Sequence, residues 1–154
     1  MSQPTVIRGI STPEEFAEHI RRVELYIAGE DQETNLLRKL HRRIKHKGVK
    51  GVSTPQRLFY AYHQFAGAMF GGQVNEFFDY FSTAILHAVD EGFRTIEKPD
   101  LSDVFNALWR AHKAGEIEED GTEESLERTA PFIDQLFELD RLFLHYAEKH
   151  RLFR

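Results

Sequence analysis

Histidine and carboxylate side chains are the groups in this sequence best suited to hold a metal ion. The chain has eight histidines and no cysteine, so a thiolate site and a thiol nucleophile are excluded. Glu15 and His19 lie four residues apart, and His145 and Glu148 lie three apart. Neither pair belongs to a His-Glu-x-x-His or Glu-x-x-His motif, which helical metal sites use. We therefore predict no metal and no other cofactor, and expect the histidines to be isolated surface or core side chains.

His63, His87 and Asp79 are candidates for general acid–base catalysis, because they flank strongly apolar segments. Nothing in their spacing fixes any two of them as a pair. The sequence also lacks a Gly-x-Ser-x-Gly motif, a P-loop and a Rossmann fingerprint. These residues therefore give no catalytic motif, and the prediction that the protein is not an enzyme depends on the family resemblance described below.

Gly71 and Gly72 form a third candidate site, because they lead into an apolar segment that begins near Asn75. The amino end of a helix can bind an anion. A glycine pair without a lysine is a weak phosphate signal, and a tight corner between two helices is the favoured explanation. A small-ligand pocket or an enzyme site beside Gly71 and Gly72 is the third of our function hypotheses.

Residues 38–50 carry a dense run of basic side chains that could follow a phosphate backbone. The alternative is an amphipathic helix whose bases face water, because Leu36, Leu40 and Ile44 keep helical spacing through the run. An acidic protein or a lipid surface is a further candidate partner for this basic run. The basic candidates are Arg38, Lys39, Arg42, Arg43, Lys45, Lys47 and Lys50.

Residues 116–127 are the acidic counterpart, with seven acids and no base. They could dock a basic partner, form a solvated loop between helices, or fold against the basic run of the same chain. Thr122 could begin a short helix within them. The acidic candidates are Glu116, Glu118, Glu119, Asp120, Glu123, Glu124 and Glu127.

Length and charge place these segments in one soluble domain of 154 residues. Residues 1–50 hold ten Lys/Arg and seven Asp/Glu, whereas residues 51–154 hold ten and eighteen. This asymmetry indicates a charged partner or pairing between the halves. The sequence shows neither a secretory signal nor an apolar run long enough to span a membrane. We expect a cytoplasmic protein with residues 1–10 as a flexible arm and 11–154 as one domain.

Apolar residues recur at helical spacing from Phe16 to Tyr146, and no segment alternates over the length of a strand. The pattern predicts an all-α bundle of six or seven helices. Thr12-Pro13, Ser53-Thr54-Pro55 and Pro99-Asp100 are predicted helix starts. We further predict a helix end near Gly29, helix starts at Asp31 and near Pro131, and a closing glycine at 115.

The predicted central element lies in the stretch 70–89 and is one helix that begins after Gly71-Gly72 and ends at about Glu91. Its apolar residues form a single wide stripe, so we expect it to be the core of the bundle. The stripe consists of Val74, Phe77, Phe78, Phe81, Ile85, Leu86 and Val89.

Residues 53–109 resemble a bacterial all-helical family of unknown function whose best-described type is a DNA-mimic protein. The matching features are Thr54-Pro55 with Arg57, which lies one place earlier than the family's Arg, the pair Gly71-Gly72, and the aromatics Phe77-Phe78. Phe70, Gln73 and Asn75 depart from the family's Asn, Phe and Gln around the glycines. The segment 137–141 is similar to the segment of Leu-Asp-Asp-Arg type near the end of the family's sequences. The resemblance therefore covers about the last two thirds of the chain.

The resemblance implies a non-catalytic, cytoplasmic protein that binds another protein, as an inhibitor or a DNA-mimic-like regulator. A DNA mimic presents Asp and Glu side chains where a DNA-binding partner expects phosphates. The resemblance therefore favours the acidic run as the working surface and leaves nucleic-acid binding by residues 38–50 as the alternative. The identity of the partner, the biological process and the oligomeric state stay open.

Overall fold

The computed structural model describes residues 12–153, and for residues 18, 19 and 22–31 the description is limited to the backbone. The predicted arm, residues 1–10, lies outside the described residues. The all-α fold class is confirmed, because residues 12–153 contain seven α-helices, one short 3₁₀ turn at Val49–Gly51 and no strand. The helices are α1 Pro13–Lys47, α2 Thr54–Phe70, α3 Val74–Tyr80, α4 Thr83–Thr95, α5 Pro99–Lys113, α6 Glu123–Ile133 and α7 Leu136–Lys149.

The described part of the chain divides into two compact units, with the boundary inside α1 between Arg38 and Lys39. Within the second unit, α2 packs against α3, α4, α6 and α7, and α5 packs against α3, α4 and α6. The helix at the centre of the bundle is therefore α2.

The core around α2 is built from aromatic rings. Phe65 lies edge-on to Phe77, Phe93, Phe105 and Phe132, with ring centroids 4.8–5.9 Å apart. These five rings are each at most 2% exposed. Edge-to-face contacts of this kind add to the hydrophobic contribution of each ring. The prediction of an aromatic-rich core is confirmed.

Side-chain caps begin the helices where the sequence predicts them. Thr12 Oγ1 accepts a hydrogen bond from the Glu15 N–H at 3.1 Å. Ser53 and Gln56 form a reciprocal capping box at the start of α2. Pro99 is the first residue of α5, whose end is followed by Gly115 at φ +71°.

The predicted break at residues 29–31 is wrong, because α1 is helical without interruption from Pro13 to Lys47. A glycine inside a helix costs only about 1 kcal/mol relative to alanine, so neighbouring turns can carry the helix through it. Phe16 and Ile20, predicted on the apolar face, are 48% and 40% exposed.

The prediction of one helix from Gly71-Gly72 to about Glu91 is also wrong, because the backbone is extended at Phe81 and Ser82 and separates α3 from α4. The break leaves Phe81 half-buried, while the other six stripe residues stay buried. Pro131 does not begin the last helix, because it lies inside α6 and α7 begins at Leu136.

Candidate functional site

Gly71 and Gly72 make the tight corner between α2 and α3. Gly72 has φ +70°, a conformation that other residues adopt only with strain. The N–H groups of Gly71, Gly72 and Gln73 donate to the carbonyls of Gly67, Met69 and Ala68 at 2.8–3.1 Å. These amides are already bonded within the turn, so they are not available to hold a phosphate.

The amino end of α3 is capped by a residue from the acidic run. Asp120 Oδ1 accepts the Asn75 N–H at 2.9 Å, and Asp120 Oδ2 accepts the Glu76 N–H at 3.3 Å. The local N-cap residue, Gln73, makes no side-chain capping bond. Asp120 thus takes the place that an external anion would occupy at this helix end.

Asn75 fixes the acidic run a second time through its side chain. Its Nδ2 donates to the Glu118 carbonyl at 2.9 Å, and its Oδ1 lies 2.7 Å from His112 Nδ1. Ile117, the residue before Glu118 in the loop, is buried at 8% exposure. The loop between α5 and α6 is therefore held in place by hydrogen bonds and by an apolar side chain.

His112 joins α5 to this arrangement. Its Nε2 lies 2.9 Å from Asp79 Oδ1, and its ring stacks on Phe78 with centroids 5.2 Å apart. Asn75 uses Nδ2 for Glu118, so His112 faces an oxygen at each ring nitrogen. The imidazolium form carries a hydrogen on both nitrogens and can donate to both oxygens.

The result is one surface, the acidic corner, formed by Glu76, Asp79, Glu118, Glu119 and Asp120. All except Asp120 are exposed. The predicted acidic run and the predicted motif corner at Gly71, Gly72 and Asn75 are thus parts of one site. Sequence reasoning identified Asn75 and Asp120 but missed His112, whose role depends on packing between α3 and α5.

The other acidic candidates lie along the edge of this surface or serve α6. Glu116, Glu123 and Glu127 are exposed, and Glu124 pairs with Arg128 at 3.3 Å. Thr122 Oγ1 accepts the Ser125 N–H, so the predicted helix start at Thr122 is confirmed. Glu123 and Glu124 lie in the first turn of α6, where acidic residues favour the helix.

The last part of α1 within the second unit, residues 39–47, is here called the basic end. Leu40 is fully buried, and Ile44 is half-buried. The bases Lys39, Arg42, Arg43, Lys45 and Lys47 are all exposed, as are Arg38 and Lys50 on either side. Within residues 12–153, no ion pair involves residues 39–50. The acidic run therefore does not fold against the basic end.

The three acid–base candidates are not brought together. No hydrogen bond or ion pair joins any two of the described side chains of His63, His87 and Asp79. His63 is packed against Phe59 and Tyr62, and its buried Nε2 has no hydrogen-bond partner in the described part of the chain. Burial lowers the pKa of His63 to about 4. Among the described side chains, the histidine that contacts a carboxylate is His112.

Among residues 12–153, no group of three or more His, Asp or Glu side chains could hold a metal ion. The His19 side chain lies outside the described ones, and His145 and Glu148 are exposed on α7. None of the described helices is both long enough and apolar enough to cross a membrane.

A family model for DMP19-like proteins matches residues 50–153. The chain belongs to the DMP19-like family. No curated protein and no solved structure matches the chain. In this DMP19-like protein, the match contains α2 to α7 and all of the acidic corner.

The basic end, residues 39–47, lies outside the segment that the family model matches. The two oppositely charged candidate surfaces therefore differ in their relation to the family. Only the acidic corner is built from the part of the chain that makes this a DMP19-like protein.

Proposed function

We propose that this DMP19-like protein is a non-enzymatic protein-interaction module that binds a basic protein partner through its acidic corner. The observation that carries the proposal is the double attachment of the acidic run to Asn75. Asp120 accepts the backbone N–H of Asn75, and the Glu118 carbonyl accepts its side-chain N–H.

This attachment matters because binding costs conformational entropy when a loop must be ordered. The exposed carboxylates of Glu118 and Glu119 extend from a short segment that is already held in place. The Glu118 carbonyl and the side chain of Asp120, the residue after Glu119, are both hydrogen-bonded to Asn75. Glu76 and Asp79 add two carboxylates from the rigid α3. A basic partner would meet a preformed set of charges.

The more specific form of the proposal is DNA-mimic-like regulation, in which the partner is itself a DNA-binding protein. Such a partner uses Lys and Arg to neutralise phosphates, and clustered carboxylates offer the same charge. The net charge of −5 repels DNA itself and favours association with a basic surface.

The second candidate function is a nucleic-acid module that uses the basic end. The exposure of Lys39, Arg42 and Arg43, with no ion pair among the described residues, supports it. The burial of Leu40 gives these bases a simpler explanation as the solvent face of an amphipathic helix. We rank this function second because the basic end lies outside the family match.

The test compares two charge-reversed proteins. The first carries Glu118→Lys and Glu119→Lys, because neither side chain makes a hydrogen bond or ion pair with another described side chain. The matched control carries Asp103→Lys and Glu148→Lys, which reverse the same number of exposed charges on α5 and α7. Each tagged protein is used to capture partners from cell extract, and the captured proteins are identified by mass spectrometry.

We expect a basic protein that the wild type and the control capture and the corner variant loses. Duplex DNA added to the purified complex should displace the protein if the partner is DNA-binding. Equal capture by the corner variant and the control would contradict the proposal.

A further inference from the structure

A cavity of about 650 Å³ lies between α4 and α5, beside the carboxyl end of α3. This volume is within the range of small-molecule sites, which are about 300–1,000 Å³. His112 and Phe78 contribute to the wall of the cavity, and none of the five carboxylates of the acidic corner does.

The ionisable side chains around the cavity are all of the basic type. His87, Arg110, His112 and Lys113 contribute to its wall, and no Asp or Glu does. This is unexpected in a chain with 25 acids and 20 Lys/Arg. His112 is paired with Asp79, whereas Arg110 and Lys113 make no ion pair among the described residues.

The apolar part of the wall is largely aromatic. Trp109 is half-buried, and its ring lies 5.2 Å from that of His87 and 6.2 Å from that of Phe105. Phe81 and Leu86 complete this part of the wall. Lys113 Nζ lies 4.3 Å from the centre of the Trp109 ring, which is a cation–π contact. The ammonium group is thereby held beside the cavity.

The bases in the last turn of α5 also complement the negative end of the helix dipole. That effect accounts for Arg110, His112 and Lys113 on α5. It does not account for His87 on α4, for the absence of acids from the wall, or for an open aromatic cavity at this position.

We propose that this cavity binds a small planar anion, a ring that bears a carboxylate or a phosphate group. Arg110 and Lys113 pair with the anionic group, because both are basic and neither has a carboxylate partner in the described part of the chain. The ring packs against Trp109 and Phe81, since aromatic faces stack on planar ligands. This site is separate from the acidic corner and goes beyond the partner binding proposed above.

The experiment uses the full chain and its own reporter, because Trp109 is the single tryptophan of the sequence. Tryptophan emission is recorded during titration with benzoate and with adenosine monophosphate. Benzyl alcohol and adenosine serve as rings without the anionic group, and inorganic phosphate serves as an anion without a ring. Calorimetry on the same solutions detects binding that leaves the emission unchanged.

The test variant carries Arg110→Gln and Lys113→Gln, which remove two exposed charges from the wall. The matched control carries Arg141→Gln and Lys149→Gln, two exposed bases on α7. Circular dichroism establishes that both variants retain the wild-type helical content.

We expect saturable binding of benzoate or adenosine monophosphate that weakens as salt is raised. Binding should be about tenfold weaker in the test variant, as expected for the loss of a charge-assisted contact, and unchanged in the control. Binding of benzoate alone would identify the anion as a carboxylate, and binding of adenosine monophosphate alone would identify a phosphate.

Three outcomes would overturn the proposal. One is the absence of saturable binding of both ring anions to the wild type. Another is equal affinity of the test variant and the wild type. The third is binding of inorganic phosphate as tight as that of the ring anions, which would leave the aromatic wall without a role.

Discussion

The acidic corner and the basic end are the two densest charged regions of this protein, and their structures differ in kind. Asp120 and Asn75 join the acidic run to α3 by hydrogen bonds of 2.9 Å. The basic end has no ion pair among the described residues, and its bases extend into solvent from a helix anchored by Leu40.

The difference shows that charge density alone does not mark a working surface. Exposed charges on an amphipathic helix contribute little to the stability of a protein. A loop that is capped, hydrogen-bonded and anchored by Ile117 has a defined shape as well as a charge. The four predictions below test this contrast, from the largest expected effect to the smallest.

Phe78→Ala should remove the ring on which His112 stacks and destabilise the protein by about 3–5 kcal/mol, as deletion of a buried Phe does. Phe78 is 6% exposed and lies against Phe77, Phe105 and His112. Urea unfolding measures the change. Phe137→Ala is the control, because Phe137 is 89% exposed and its loss should cost little. Equal unfolding midpoints for the two variants would show that Phe78 does not support the corner.

Lowering the pH is a direct way to reduce the negative charge of the acidic corner, but a lower pH also affects His63. The pKa of His63 is lowered by burial from 6.5 to about 4, so the unfolded chain binds its proton first as the pH falls. The free energy of unfolding should therefore drop between pH 6.5 and 4, by about 3 kcal/mol at ~1.4 kcal/mol per pKa unit.

The variant His63→Phe should flatten the stability profile over that interval, measured by urea unfolding at several pH values. Asp140 acts in the opposite direction, because burial raises its pKa and the hydrogen bond from Tyr62 offsets only part of the rise. Since Asp140 is present in both proteins, the difference between their profiles isolates His63. Parallel profiles would mean that His63 does not carry the effect.

Asn75→Ala should destabilise the protein by about 1–3 kcal/mol, because it removes the side-chain bonds to Glu118 and His112. Hydrogen exchange should become faster in residues 116–122, which the Asn75 side chain helps to hold. Arg42→Ala, a change in the basic end, should stay within about 0.5 kcal/mol of the wild type, as exposed substitutions do. Unchanged exchange in residues 116–122 would show that the loop is held without Asn75.

Charge reversal at Arg42 and Arg43 should have the smallest effect, with no change in behaviour toward DNA. We expect no DNA binding by the wild type in fluorescence anisotropy at low or moderate salt, because the acidic part repels phosphates. A protein that neutralises several phosphates would bind at low salt and lose affinity steeply as salt rises. Tight, salt-sensitive binding abolished by the reversal would move the working surface to the basic end.

Local signals predicted much of the fold. The caps at Thr12, Ser53 and Thr122 and the proline at 99 begin helices as expected, because each depends on neighbours within four residues. The break at Ser82 was missed because the apolar stripe continues through it in phase. The predicted break near Gly29 was wrong because a single glycine does not end a helix.

The site was harder to predict, because its contacts join residues far apart in the sequence. Asn75 and Asp120 were separate candidates, and only packing shows that they meet across 45 residues. Asn75 and Asp79 lie four apart and share a face of α3, which was the available signal for a common partner. Nothing in the local sequence of α5 indicated that His112 would be that partner.

Phe65 lies edge-on to four buried rings, and this packing constrains how it can rotate. A half-turn of a phenylalanine ring exchanges identical edges, so it leaves the structure as it was. In a close-packed interior the ring can turn only when its neighbours move apart together. The flipping rate of Phe65 would therefore report how frequently the core of this bundle transiently expands. The rate can be measured from the line shapes of the ring protons in NMR spectra.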